Sequence, residues 1–211
     1  MRARKKKWAE KEISINDSLI EAPENYKGNW KEYFGNPNPL YVEIGCGKGR
    51  FITESASADR EINYLGIERE KQVIISGMRR AREQEIKNVG FILSDVSALP
   101  EIFAENEIDR LYINFCDPWP NRKKWAKRRL THGNFLKIYR PLLNGRIFFK
   151  TDNRELFAFS LEQFKEYGWT VENISWDLYE NNPAPQNIMT EYEEKFFNEK
   201  IPIMSCEAYP E

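Results

Sequence analysis

Leu40-Tyr-Val-Glu-Ile-Gly-Cys-Gly-Lys-Gly49 is the stretch on which the reading of the fold turns. Leu40 to Ile44 is a short apolar run with the length and composition of a buried strand, glycines then alternate to Gly49, and a helical pattern opens near Arg50. Strand, glycine turn and helix in that order open a nucleotide-binding unit. Outward from it, Ile62 to Ile67 reads as a second strand ending in Glu68, and Glu70 to Gln84 as an amphipathic helix with Val73, Ile74 and Met78 on one face. Val89 to Leu93 reads as a third strand ending at Asp95, Asp109 to Phe115 as the fourth and Arg146 to Phe149 as the fifth. Helices are expected around Asn134 to Leu143 and Arg154 to Tyr167. This alternation predicts an α/β domain, a mostly parallel doubly wound sheet with helices on both faces. Ligands bind beyond the carboxyl ends of such strands, where Glu43, Glu68, Asp95, Asp117 and Asp152 all fall, so these acids are expected to converge on one cleft.

The flanks are less regular. Residues 1–22 form a basic arm expected to be mobile, and residues 23–211 a single domain, whose segment from Pro23 to Pro39 has the composition of an ordered loop or short helix. After Gly168, Thr170 to Ile174 reads as a strand. A loop with two prolines follows, and Thr190-Glu-Tyr-Glu193 with Phe196-Phe197 is read as part of the last strands, the acidic residues on their connection or in a surface turn.

At 211 residues, with 41% hydrophobic and 14% aromatic residues, the chain suits one folded domain. A net charge of -1 hides an asymmetry: Arg2, Arg4, Lys5, Lys6 and Lys7 cluster at the start and a second basic block sits mid-chain. Two separated basic patches on a neutral protein point to a localised polyanion site. Cys46, Cys116 and Cys206 are odd in number and widely spaced, which argues against a disulfide framework and for a cytoplasmic protein. His132 is the only histidine, and there is no Cys-x-x-Cys pair, so zinc sites of the usual kind and a Ser-His-Asp triad are disfavoured; a loop or cap role suits His132 better than that of a base. No apolar run has transmembrane length, and no membrane partner is expected.

The mid-chain block begins where the fourth strand ends, as Asn114-Phe-Cys-Asp-Pro-Trp-Pro120. Proline stops the strand because it lacks the amide a central strand needs, leaving the Asp117 carboxylate at the strand end and Trp119 beside it, able to stack on a planar group. Arg122, Lys123, Lys124, Lys127, Arg128 and Arg129 then crowd together. An acid, a flat ring and dense cations suit a planar base on a phosphate chain. The glycine loop departs from the dinucleotide fingerprint, since Arg50 stands where the third glycine belongs, and Glu43 beside it disfavours a pyrophosphate. A cationic cofactor fits better: S-adenosylmethionine carries a sulfonium and an amino group, while Glu68 is spaced to meet ribose hydroxyls and Asp95 to accept from an adenine amino group.

Glu43-Ile-Gly-Cys-Gly-Lys-Gly49 resembles the first motif of Rossmann-like class I S-adenosylmethionine methyltransferases. Asn114 to Pro120, with Lys127-Arg-Arg-Leu-Thr131, Lys150-Thr-Asp-Asn153 and Thr190 to Glu193, is similar to bacterial tRNA (guanine-N7)-methyltransferases, and the likeness runs through nearly the whole chain. The resemblance implies methyl transfer to N7 of a guanine in the tRNA variable loop; separately, no metal is expected, and the chain is expected to be a monomer or homodimer. The resemblance also implies Glu43, Gly45, Gly47, Glu68, Asp95 and Asp117 as cofactor-binding positions, with Asp117 also catalytic. Substrate-binding positions by the same resemblance are Asn121, Asp152, Thr190, Glu191, Tyr192 and Glu193, and the basic block adds Arg122, Lys123, Lys124, Lys127 and Arg128 as residues expected to hold the flanking phosphates. Asn121 replaces a lysine common in the family, which weakens that contact or passes it to Arg122 or Lys123.

Two rival readings have distinguishing features. An exocyclic amino methyltransferase would use an Asp-Pro-Pro-aromatic grip, but here the second proline is displaced beyond Trp119. A noncatalytic RNA-binding module would not need acids at all four cofactor positions. Guanine N7 carries a lone pair and no proton, so its attack on a sulfonium methyl needs no general base to begin, which suits a site poor in histidine.

Overall fold

The computed structural model describes residues 17–120, 122–180 and 187–211, with Lys123 described by its backbone alone. The basic residues before Asp17, and Asn121, lie outside the described residues.

Strands β1 (Leu40–Ile44), β2 (Asn63–Glu68), β3 (Val89–Leu93), β4 (Ile108–Asn114), β5 (Leu143–Thr151), β6 (Trp169–Ser175) and β7 (Met204–Pro210) form one sheet. Its order is β3-β2-β1-β4-β5-β7-β6. All neighbours pair in parallel except β7, which is antiparallel to both β5 and β6. β2 and β3 are almost wholly buried because both of their faces are covered, whereas β1 carries Glu43 and β4 carries Asp109 and Arg110. Chain order reverses between β1 and β4, which pair at Glu43 and Tyr112, and an open α/β sheet of this kind has its crevice beyond that switch point.

On one face, Leu111, Ile113, Ile147 and Phe149 bury beneath Leu136 of α6 (Gly133–Tyr139) and Phe157 and Phe164 of α7 (Arg154–Glu166). Helix α1 (Trp30–Phe34) adds Trp30 to this core, its indole donating to the Ile102 carbonyl of α4 (Leu99–Ile102). On the other face, α2 (Arg50–Ala58) and α3 (Lys71–Glu83) press Ile52, Ile74 and Met78 onto Tyr64 and Phe91. A Cβ on Gly77 would lie 2.8 Å from Phe91 and 3.0 Å from the Gly49 Cα, so α3 touches the glycine loop backbone to backbone. This contact is why a glycine sits inside α3 despite its low helix propensity.

Several expectations need revision. Thr190 to Glu193 is not a strand connection but the start of α8 (Glu191–Asn198), closed by a capping box between Thr190 and Glu193. The unanticipated final strand β7 has inward-facing Met204, Cys206 and Ala208. β5 runs longer than Arg146 to Phe149, through an Asn144-Gly145 pair that reads as a turn; Gly145 is needed because a Cβ there would lie 2.0 Å from the Asp109 carbonyl oxygen. Within the expected mobile arm, Ser18 and Ile20 already bond to Phe91, covering the open edge of β3. The cysteines are free, and His132 caps α6 by accepting from the Asn134 amide. No helix among the described residues is long and apolar enough to cross a membrane.

Candidate active site

The crevice at the switch point is lined by Glu43, the Gly45 to Gly49 loop, Asn114, Phe115, Thr190 and Tyr192, among others. Gly45, Gly47 and Gly49 have φ of 68°, 56° and 69°, left-handed values that explain glycine at every second position. Glu43, 3% exposed, points from the end of β1 into this crevice. Its Oε1 accepts from Asn114 Nδ2 at 2.9 Å, and its Oε2 has no partner among the described residues. Burial pushes the Glu43 carboxyl up to about 8, against the opposing pull of Asn114 and Lys150. A buried carboxyl with one oxygen unmatched is a site prepared for a hydrogen-bond donor or a cation.

Glu68 reaches the same loop: its Oε2 accepts from the Gly47 amide at 3.1 Å, while Oε1 accepts from the amides of Arg69 and Glu70. Asp95 caps the turn after β3, its Oδ1 accepting from the amide and hydroxyl of Ser97, which holds its carboxyl below the usual range. Asp152, half-buried beyond β5, is shifted upward by burial. Asp117 is exposed and makes no hydrogen bond or ion pair among the described side chains.

The segment after β4 is unusual in its backbone. Phe115 and Trp119 have φ of 50° and 32°, values that side chains other than glycine rarely adopt. The Trp119 ring lies 5.3 Å from that of Trp125 at 17°, and the Arg128 guanidinium is within 4.8 Å of both centroids. Trp125 belongs to the short helix α5 (Lys123–Ala126).

Helix α8 closes the far rim. Phe115 stacks at 6.4 Å on Tyr192, which is 60% exposed. Glu191 pairs with Lys48 at 3.5 Å and Arg80 at 3.6 Å, and Glu194 pairs with Arg50. Glu193 is fully buried: its Oε1 accepts from Tyr179 Oη and Asn187 Nδ2, its Oε2 from Lys150 Nζ at 2.8 Å and from the Thr190 amide.

A family model described as a putative methyltransferase matches residues 37–206. A protein of Halalkalibacterium halodurans named a tRNA (guanine-N(7)-)-methyltransferase is 47% identical over 211 residues, covering 99% of this chain and 95% of that one. The chain belongs to the tRNA (guanine-N7)-methyltransferase family. A second relative of the same name, from Bacillus subtilis, is 45% identical over 99% of this chain and 98% of its own length. Among solved structures, the 16S rRNA methyltransferase KamB superposes with a TM-score of 0.63 at 10% identity, over 87% of this chain and 94% of that one. A 30S ribosomal methyltransferase from an uncultured bacterium gives 0.61 at 14%, over 87% and 93%. Those two likenesses show the class I methyltransferase fold.

In this family member the expected convergence of acids is partial. Glu43 lines the crevice and Glu68 joins it through Gly47, whereas Asp95, Asp117 and Asp152 stand at their own strand ends. The basic block divides: Arg122, Lys124, Lys127 and Arg128 are exposed, but Arg129 is 1% exposed and belongs to the core. Glu193 is likewise buried, with both oxygens engaged inside the protein, so it anchors α8 and has no surface open to a substrate; Thr190 is its cap partner. Trp119 stacks on Trp125 of its own chain. Asn114, Lys150 and Phe115 were not singled out as site residues from the sequence. The Thr190-x-x-Glu193 capping pattern signalled the start of a helix, but nothing in it pointed to Lys150, because a capping-box acid already has the N-cap amide as its donor.

Proposed function

We propose that this family member transfers the methyl group of S-adenosylmethionine to N7 of a guanine in the tRNA variable loop. The observation that supports this most directly is Glu43: a buried carboxyl at the crevice floor with Oε2 lacking a donor among the described residues, beside a glycine loop in which a Cβ on Gly47 would have no described atom within 4 Å. A cofactor with an amino group and a neighbouring sulfonium supplies the missing donor and positive charge. Glu68 and Asp95, at the ends of β2 and β3, are the acceptors for ribose hydroxyls and the adenine amino group, and Gly45 and Gly47 permit close approach. When bound, S-adenosylmethionine provides an electrophilic methyl on a positively charged sulfur.

The chain's own work is then positioning and charge. Guanine N7 attacks without losing a proton, and the ring gains positive charge as the new bond forms. Asp117, three residues beyond β4 and without a hydrogen bond or ion pair among the described side chains, is the carboxylate available to offset it, and Asp152 is a second acceptor for guanine N–H groups. Arg122, Lys124 and Lys127 are exposed beside this segment and suit flanking phosphates, while Tyr192 offers an exposed ring at the rim. Incubating the protein with unmodified tRNA and labelled S-adenosylmethionine, followed by nucleoside analysis, tests the reading. The expected product is 7-methylguanosine at a variable-loop guanine; N6-methyladenine would replace the proposal with the exocyclic amino reading.

A further inference from the structure

Resting on that assignment of Asp117, we infer that Arg129 is a positioning residue for methyl transfer, holding the Asp117 segment through its backbone carbonyls. Arg129 is 1% exposed, and its guanidinium is spent on the segment that carries the acid. Nε donates to the Pro118 carbonyl at 2.8 Å and the Trp119 carbonyl at 3.1 Å, and Nη2 donates to the Trp119 carbonyl at 2.7 Å. These are the two carbonyls that follow Asp117 in the chain. The face of the guanidinium lies 4.5 Å from the Phe159 ring, and Nη1 has no partner among the described residues.

This arrangement is costly for scaffolding alone. Burial pulls the Arg129 pKa below its ordinary value, with Glu155 and Cys116 only partly restoring it. A buried guanidinium normally meets a carboxylate, whereas here neutral carbonyls take three of its hydrogen bonds. Those carbonyls have few alternatives, since Pro118 and Pro120 lack amide hydrogens that could serve them locally. The left-handed φ of Trp119 is a conformation that persists only when its surroundings over-determine it. The next residue back supplies the second hold: Arg128 lies over the stacked rings of Trp119 and Trp125. Adjacent arginines therefore fix Trp119 twice, one at its carbonyl and one at its ring, and Asp117 is held two residues upstream. Arg129 thus sets how well Asp117 is aimed and leaves the attraction for tRNA phosphate to its exposed neighbours.

The test compares wild type with Arg129→Lys, which can reach one carbonyl, and Arg129→Met, which reaches none. The rate kcat is expressed per cofactor-binding molecule, so that any loss of folded protein is divided out. We expect kcat to fall about tenfold for the lysine and about 100-fold for the methionine variant, the scale of an ångström-level misplacement. KM for tRNA and the salt dependence of tRNA binding stay within about twofold of wild type, unlike Lys127→Ala, which weakens binding. If Arg129→Met does not fold, Phe159→Leu loosens the guanidinium from its other face and lowers kcat several-fold at unchanged KM. Unchanged kcat per cofactor-binding molecule in the folded variants overturns the inference, as does a rise in KM matching that of Lys127→Ala. A wild type that makes no 7-methylguanosine overturns the functional assignment as well.

Discussion

Replacing Glu43 by glutamine removes one titrating proton from the crevice floor while keeping the size of the side chain. The carboxyl is 3% exposed, has one donor in Asn114, and is pushed from 4.5 up to about 8 mainly by burial. In the unfolded chain it deprotonates near its ordinary value, so between the two values the unfolded state has lost a proton that the folded state retains. Unfolding then releases a proton, and raising the pH favours it. The contribution is fully present below 4.5, is lost progressively up to about 8, and is flat beyond. At about 1.4 kcal/mol per pH unit the whole window amounts to at most roughly 5 kcal/mol. The part between pH 5.5 and 8.5 comes to about 3 kcal/mol. Urea unfolding of the cofactor-free protein at both pH values, for wild type and Glu43→Gln, isolates this group, because His132, Asp152 and every other titration are common to both proteins. The gap in stability between variant and wild type shifts by about 3 kcal/mol in favour of the variant as pH rises. Parallel pH profiles would refute the claim that Glu43 is protonated in the empty crevice.

Other substitutions probe the rest of the site. Asp117→Ala is expected to abolish methyl transfer while leaving the melting temperature within about 2 °C of wild type, since the side chain is exposed and makes no hydrogen bond or ion pair among the described side chains; a near-normal rate in the nucleoside assay would remove it from catalysis. Glu193→Ala strands the 12%-exposed Lys150 ammonium without its carboxylate and should cost about 3–5 kcal/mol in denaturant unfolding. A loss under about 1 kcal/mol would mean that the pair is solvated. Gly77→Ala should lower stability by about 1–2 kcal/mol even though alanine favours helices, because the new methyl meets Phe91 and Gly49. The same variant should weaken cofactor binding in calorimetry by displacing the glycine loop; unchanged affinity would show that α3 does not set the loop's position.

What could be read from the chain follows physical lines. β1 and β3 were legible to the residue, because each is a short, mostly apolar run closed off on both sides, Leu40–Ile44 by Pro39 and Gly45 and Val89–Leu93 by Asn88 and Ser94. The glycine spacing announced the loop, although the backbone contact with Gly77 exists only in three dimensions. β7 escaped notice because its partly polar alternation, Met204-Ser-Cys-Glu-Ala-Tyr, is a weak signal beside the stronger apolar pair Phe196-Phe197, which lies in a helix. Arg129 was hidden for a different reason. Six cations in eight residues look alike in composition, and which one turns inward depends on the unserved carbonyls of a proline-flanked segment ten residues earlier. Glu193 shows the same limit: an acid in an acidic tetrapeptide reads as surface until its helix is seen to place it against Lys150 and Tyr179.

The position of β7 also bears on how the molecule is made. β7 comes after β6 in the chain but lies between β6 and β5, so β6 has no strand partner during synthesis until Met204 to Pro210 exists. An unpaired strand in a nascent chain is an invitation to aggregate. β6 is suited to that wait, since Glu172, Asn173 and Ile174 are exposed and only Trp169 among its seven residues is fully buried in the finished sheet. The helix that forms the crevice rim precedes β7 directly, so Glu191 and Glu194, which pair with Lys48 and Arg50 at the glycine loop, likewise follow β6 in the chain, and the rim of the crevice is made in the same late stretch that pairs β6.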